Sequence, residues 1–151
     1  MLFQKLNREI FLNQDILFDV RSGVNGDVGV IVLNRSKALN ALTLNMFEQL
    51  TEQMTVWQQD SDIKAVIIKS NSDRAFCAGG DIRNIYQERV DVSVQPHPFF
   101  QIEYQFNQFL HHFKKPYIAL CDGITMGGGV GVSIHGSHCV ATPNMTWSMP
   151  E

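Results

Sequence analysis

The sequence lacks the cysteine pairs that mark disulfide-stapled and metal-knuckle proteins. Only three cysteines occur among 151 residues. The spacing of Cys77, Cys121 and Cys139 fits neither a zinc site nor a CxxC redox pair. Such sparse thiols suit a reducing compartment, where cysteine acts as a small apolar side chain. No metal site is therefore predicted.

The sequence also lacks a basic excess and a long hydrophobic run. Twelve Lys and Arg residues stand against 15 Asp and Glu, giving a net charge of -3, which argues against a nucleic-acid partner. No apolar run approaches the roughly 18 residues that span a membrane, so no membrane partner is predicted. Residues 1–9 are too charged for the apolar core of a signal peptide. We expect a cytoplasmic protein, or one of the mitochondrial matrix if the source is eukaryotic.

What the sequence does contain is an α/β pattern of the length of one domain. The first two strands can form a hairpin across the Gly-Val-Asn-Gly-Asp turn at 23–27, and later strands alternate with helices, which indicates a sheet fed by crossover helices. The polar stretch 89–98 is predicted to be a mobile loop, and no internal repeat is visible. Strands are predicted at 16–21, 28–33, 65–69, 117–121, 138–142 and 145–147, and helices at 43–58, 81–88, 99–113 and 127–135.

Two glycine-containing turns carry the candidate chemistry. Residues 74–81 (RAFCAGGD) and 123–131 (GITMGGGVG) each lead from a strand into a helix, where bare backbone N–H groups can bind an anion. The alternatives are a plain strand-to-helix turn and close helix–sheet packing through glycine. Neither turn has the spacing of a nucleotide-binding fingerprint. If the fold joins the turns, they form a two-donor oxyanion hole.

These turns, with residues 34–42 (NRSKALNAL), resemble the crotonase superfamily, the enoyl-CoA hydratases and isomerases. Finer details resemble its 3-hydroxyisobutyryl-CoA hydrolase subfamily: CAGGDIR at 77–83, GITMGGGVGVSIHG at 123–136 and MPE at 149–151. The resemblance runs from about Val28 to Glu151. It implies a crotonase-like α/β spiral of ββα units, of which residues 1–151 would be the N-terminal part, truncated on the C-terminal side.

The resemblance also implies roles for particular residues. The oxyanion amides would be those of Gly80 and Gly128. The segments that hold CoA would include Lys37, Ala38, Ala78, Gly79 and Asp81, with Arg35 as a further phosphate partner unless it and Lys37 are only solvated loop charges.

The carboxylates separate the subfamilies. The first hydratase glutamate would stand at Gly131 and is missing, whereas the second corresponds to Glu151. In the hydrolase subfamily a further glutamate, here Glu103, contacts the substrate. Its second acid would lie beyond residue 151.

The resemblance therefore implies hydrolysis of a short β-hydroxyacyl-CoA thioester, with CoA as part of the substrate and no separate cofactor. An enoyl-CoA isomerase or hydratase and a non-catalytic CoA-binding fragment are the alternatives. We expect the 151-residue chain to be inactive by itself and the full-length form to be a homo-oligomer.

Overall fold

The computed structural model describes residues 14–87 and 97–150. The predicted mobile loop at 89–98 lies outside these residues except for its last two positions, and Glu151 lies outside them as well. The strands are β1 Ile16–Gly23, β2 Gly26–Leu33, β3 Ile63–Ser70, β4 Ala75–Cys77, β5 Tyr117–Cys121, β6 Ile124–Met126, β7 His138–Ala141 and β8 Thr146–Ser148; the α-helices are α1 Leu44–Gln59, α2 Ile82–Gln87, α3 Pro98–His111 and α4 Gly128–Ile134, and Ser36–Ala38 forms one turn of 3-10 helix.

The predicted hairpin is confirmed. β1 pairs antiparallel with β2 from Ile16 opposite Leu33 to Gly23 opposite Gly26. Gly26 has a φ of 126°, a conformation that side-chain-bearing residues rarely adopt, and a Cβ there would overlap the side chain of Lys64. The glycine therefore allows the turn to lie against the start of the next strand.

The chain winds as a spiral that builds two sheets. One sheet has the order β1-β2-β3-β5-β7 and the other β4-β6-β8, with every pair after the hairpin parallel. From β3 onwards, consecutive strands along the chain alternate between the sheets. β3, β5 and β7 lie in the larger sheet, and the strand that follows each of them, β4, β6 and β8, lies in the smaller one. The predicted α/β spiral of ββα units is confirmed, and the repeat that the sequence hides is present in the backbone.

Two strands were missed at the level of sequence. β4 and β6 lie within the segments predicted to be loop and turn, and each has only three residues. Such short strands show no alternation of apolar and polar residues. They form only because each pairs with a neighbour in the second sheet, and β6 lies between the other two.

The core joins α1 and α3 to the larger sheet. Thr43 caps α1 as predicted, its Oγ1 accepting a hydrogen bond from the Met46 amide at 3.2 Å. Phe47 on α1 packs against Phe99 and Phe106 on α3, each pair of ring centroids being 5.6 Å apart. All three rings are buried, and each buried ring stabilises the fold by about 1.5–3 kcal/mol. This contact fixes α3 beside the candidate site.

Candidate active site

The fold brings the two predicted glycine turns into contact. Gly79 has a φ of 109°, and a Cβ there would lie 3.2 Å from the carbonyl oxygen of Met126 and 3.6 Å from the amide nitrogen of Gly128. A Cβ on Gly128 would in turn lie 3.6 Å from the amide nitrogen of Gly80. The turn after β4 and the turn after β6 therefore meet because β4 and β6 are neighbours in the same sheet.

Two backbone amides are free at this junction. Leu42 and Gly80 form an isolated parallel bridge, in which Leu42 donates to the Gly79 carbonyl and Asp81 donates to the Leu42 carbonyl, both at 2.8 Å. Outside the helices and strands, no backbone hydrogen bond of the described residues uses the amide of Gly80 or that of Gly128. Gly128 opens α4, where the first amides have no partner within the helix. Two unpartnered amides placed together in this way are chemically able to bind an anion.

The neighbouring glycines serve packing rather than binding. A Cβ on Gly129 would overlap the carbonyl oxygen of Cys77, so α4 rests directly on β4. Gly127 has a φ of 48° and forms the turn itself. The interpretation of close helix–sheet packing through glycine is therefore confirmed for Gly129.

An ion pair fastens the turn that carries Gly80. The guanidinium of Arg35 lies 2.9 Å from the carboxylate of Asp81 and 3.4 Å from that of Asp15. Burial alone would raise the pKa of Asp81, but hydrogen bonds from Arg35 and from backbone amides outweigh it and hold the pKa below its ordinary value. Arg35 is thus engaged by two carboxylates, whereas Lys37, the other suggested phosphate partner, is exposed.

Asn40 anchors the same loop, and sequence reasoning assigned it no role. The residue is fully buried with a φ of 55°. Its Oδ1 accepts from the Arg35 amide at 2.8 Å, and its Nδ2 donates to Ser70 Oγ at 2.7 Å and to the Phe76 carbonyl at 3.1 Å. Asparagine tolerates the left-handed region better than most residues, so an Asn after a Lys-Ala-Leu turn was the available signal.

The two free amides open into a cavity of about 790 Å³ between α3 and α4. Several of its walls are large hydrophobic side chains that remain more than a third exposed, which is typical of a surface that binds an apolar group. Those walls include Ile82, Phe100, Tyr104, Ile134 and Met149.

Glu103 on α3 brings a carboxyl group to the amides. Its Oε1 lies 2.7 Å from the position that a Cβ on Gly128 would take. Burial raises the pKa of Glu103, so this group keeps its proton to a higher pH than an exposed glutamate. The nearby Cys77 thiol is fully buried, and burial raises its pKa to about 12. Cys77 is therefore no thiolate nucleophile near neutral pH.

One helical turn beyond Glu103, Asn107 occupies the space over Gly131. A Cβ on Gly131 would lie 2.9 Å from Asn107 Oδ1 and 3.0 Å from its Nδ2. The Asn107 carboxamide thus occupies the space that the side chain of a glutamate at position 131, the missing hydratase residue, would need. Its Oδ1 is buried and has no hydrogen-bond partner among the described residues. Sequence reasoning missed Asn107, since an isolated Asn on a helix carries no distinguishing pattern.

The predicted site residues divide into three groups. Ala78, Gly79, Gly80, Glu103 and Gly128 line the cavity together. Lys37, Ala38 and Asp81 do not line it, although the Ala78 amide donates to the Leu39 carbonyl at 3.0 Å and so joins the Lys37 loop to the turn. Glu151 lies outside the described residues, and the two residues before it, Met149 and Pro150, line the cavity.

The described residues contain neither a metal-binding cluster nor a membrane-spanning helix. Within residues 14–87 and 97–150, no three or more His, Cys, Asp and Glu side chains are grouped so as to hold a metal ion. Nor does any helix in that part of the chain have the length and apolar character needed to cross a membrane.

The spiral of paired strands, with two free amides at its inner turns, defines a crotonase-type fold. The sequence model of the family described as enoyl-CoA hydratase/isomerase matches residues 28–151. The chain belongs to this enoyl-CoA hydratase/isomerase family.

Curated relatives extend the comparison. The chain is 50% identical over 126 residues to "3-hydroxyisobutyryl-CoA hydrolase, mitochondrial" of Danio rerio, covering 83% of this chain and 33% of the relative. It is 50% identical over 127 residues to the Homo sapiens protein of the same name, again covering 83% and 33%. The chain thus spans about a third of the length of these curated relatives.

Solved structures share the fold. A carnitinyl-CoA dehydratase from Mycobacterium thermoresistibile superposes with a TM-score of 0.84 at 38% identity, covering 92% of this chain and 40% of that one. An enoyl-CoA hydratase from Rhodobacter sphaeroides gives 0.78 at 35% identity, covering 91% and 40%.

Proposed function

We propose that the complete protein hydrolyses a short β-hydroxyacyl-CoA thioester. The observation that carries the proposal is the junction of the free Gly80 and Gly128 amides beside the Glu103 carboxyl, within an apolar cavity. Two converging amides suit a reaction in which a thioester carbonyl oxygen gains negative charge. The similarity to mitochondrial 3-hydroxyisobutyryl-CoA hydrolases supports both the acyl class and the hydrolytic outcome.

In the proposed reaction the thioester carbonyl oxygen accepts hydrogen bonds from Gly80 and Gly128. Glu151 either attacks the carbonyl carbon or takes a proton from the attacking water. The tetrahedral intermediate then collapses, the carbon–sulfur bond breaks, and CoA leaves as a thiolate that is protonated by solvent. Where water attacked, the free acid forms directly and Glu151 returns its proton to solvent. Where Glu151 attacked, water then hydrolyses the acyl–Glu151 anhydride, which releases the acid and regenerates the carboxylate. Each amide contributes about 2.7–4 kcal/mol to the transition state by analogy with other oxyanion holes. Glu103 contacts the acyl group from α3.

The surroundings of the site agree with a CoA thioester as substrate. The exposed Lys37 on the loop next to the Ala78–Gly79 turn offers a cation to the CoA phosphates, and Ala38 and Asp81 shape and hold this edge. The proposal needs no separate cofactor, since CoA enters with the substrate. We further propose that the complete protein is a homo-oligomer. In a eukaryote we propose that it lies in the mitochondrial matrix, because the curated relatives are named mitochondrial.

The Glu151→Gln change in the complete protein tests the proposal. Release of free thiol from 3-hydroxyisobutyryl-CoA should fall by roughly 10²–10⁴-fold, because the neutral amide can neither attack nor accept a proton. Binding of the thioester should change little. The exposed Glu52→Gln on α1, far from the cavity, is the matched control. Near-normal turnover by Glu151→Gln would contradict the assignment.

An enoyl-CoA isomerase or hydratase is the second candidate, favoured by the structural neighbours named above. The same protein incubated with a 3-enoyl-CoA or a 2-enoyl-CoA would then change the absorbance of the conjugated thioester without releasing thiol. The third alternative, a CoA-binding unit without catalysis, predicts binding and no change in either signal. We expect the 151-residue chain alone to behave in this last way.

A further inference from the structure

Asn107 is a polar residue of the cavity wall that the proposed mechanism does not use. Its Oδ1 is buried and has no hydrogen-bond partner among the described residues. A buried carboxamide oxygen without a partner destabilises a folded protein by about 1–3 kcal/mol. Such a group in a native structure calls for an explanation, and a ligand that completes its hydrogen bonds is one.

The position of Asn107 relative to the amides limits which ligand group can reach it. Glu103 stands over Gly128, and Asn107, one turn later on α3, stands over Gly131, one turn later on α4. From Gly128 to Gly131, three residues of α4 correspond to a rise of about 4.5 Å along the helix. A hydroxyl on the β-carbon is separated from the thioester carbonyl carbon by two carbon–carbon bonds. A thioester whose carbonyl oxygen binds at Gly80 and Gly128 can therefore present its β-hydroxyl to Asn107.

The chemistry of the carboxamide selects the same group. A hydroxyl both donates and accepts a hydrogen bond, so it pairs with Oδ1 or with Nδ2, whichever faces the ligand. An alkyl group at the same place would leave the carboxamide unpaired, and sites that hydrogen-bond a substrate hydroxyl reject analogues that lack it. Resting on the function proposed above, we infer that Asn107 binds the β-hydroxyl of the acyl group and sets the preference for hydroxylated over plain acyl thioesters.

The test compares 3-hydroxyisobutyryl-CoA with isobutyryl-CoA, which differ only in the hydroxyl. In the complete protein, Asn107→Ala should lower the ratio of the two kcat/KM values by roughly tenfold, the loss of about one hydrogen bond. Gln101→Ala, on an exposed residue of the same helix that does not line the cavity, should leave that ratio unchanged. An equal loss for both thioesters would make Asn107 structural and overturn the inference.

A second variant keeps the test independent of folding. Asn107→Leu keeps the branching at Cγ and removes the unpaired polar atom, so its unfolding midpoint should equal or exceed that of the wild type while the preference for the hydroxyl is lost. A lower midpoint together with an unchanged ratio would overturn the inference.

Failure of the proposed function gives a different result. A wild-type protein that hydrolyses neither thioester refutes the hydrolase assignment. The two dissociation constants, measured by calorimetry for wild type and Asn107→Ala, then carry the test. An unchanged ratio of dissociation constants would overturn the inference about Asn107 as well.

Discussion

The guanidinium of Arg35 lies 2.9 Å from the carboxylate of Asp81, across 46 positions of sequence. Arg35 also donates to the carbonyl of Ala41. These bonds tie the loop before α1 to the turn that presents the Gly80 amide. The ion pair therefore supports the turn that carries Gly80, although neither charge lines the cavity.

Replacing Arg35 by Ala should destabilise the protein by roughly 1–3 kcal/mol, because the change leaves two carboxylates and a carbonyl without their donor. Urea unfolding at pH 7 measures the loss. Arg21→Ala is the control, since the Arg21–Asp19 pair is exposed and should contribute at most about 1 kcal/mol.

The same ion pair has a defined pH dependence. The folded pKa of Asp81 is depressed, so its stabilisation is present above the unfolded value of 3.8 and is lost as the pH falls through the folded pKa. The cost of Arg35→Ala should therefore shrink on acidification. A cost that grows towards low pH would contradict this role.

Two neighbouring glycines should respond differently to alanine. A Cβ on Gly129 would overlap backbone at Cys77, so Gly129→Ala should prevent stable folding or cost several kcal/mol. A Cβ on Gly128 would meet the end of the Glu103 side chain, which can move. In the complete protein, Gly128→Ala should therefore fold and lose the proposed thioesterase activity. Circular dichroism melting and thiol release separate the two outcomes, and equal melting losses would contradict the prediction.

Glu103 should make stability fall as the pH rises. Burial raises its folded pKa above the ordinary value of 4.5, so the folded state holds this proton more tightly than the unfolded state. Stability is fully present below the unfolded pKa and declines up to the folded pKa. Glu103→Gln should remove this decline. In urea unfolding, the variant should therefore raise the free energy of unfolding more at pH 7 than at pH 4. The neutral Gln101→Ala on the same helix is the control, and a Glu103→Gln effect independent of pH would exclude this linkage.

The three cysteines should differ in reactivity towards a disulfide reagent at pH 8. Burial raises the pKa of Cys77 and of Cys121 to about 12 in each case, and Cys139 is exposed. In the folded 151-residue chain Cys139 should react first, while Cys77 and Cys121 react only on denaturation. Mass spectrometry of peptides after brief labelling identifies the thiol. Early labelling of Cys77 would show that α4 does not pack on β4 as described.

Local patterns in the sequence were sufficient for most of the elements. The Thr43 cap and the apolar spacing of α1 predicted its start within one residue, and the buried run 117–121 gave β5. β4 and β6 were not predictable, because three residues carry no periodicity and their pairing partners are distant in sequence. The site followed the same division. The two glycine turns of the site were recognisable as motifs. The unpaired Oδ1 of Asn107 was not predictable, because an isolated Asn on a helix forms no pattern in the sequence.

By itself, the sequence determined the order of strands and helices and supplied two turns rich in glycine, because caps, apolar spacing and flexible residues act on near neighbours. Only the tertiary structure decided that Gly80 and Gly128 open into one cavity, since their approach depends on β4 pairing with β6. The tertiary structure also separated the glycines that pack from those that present amides. Burial, a property of the folded state alone, raised the pKa of Glu103 and left Oδ1 of Asn107 without a hydrogen-bond partner among the described residues.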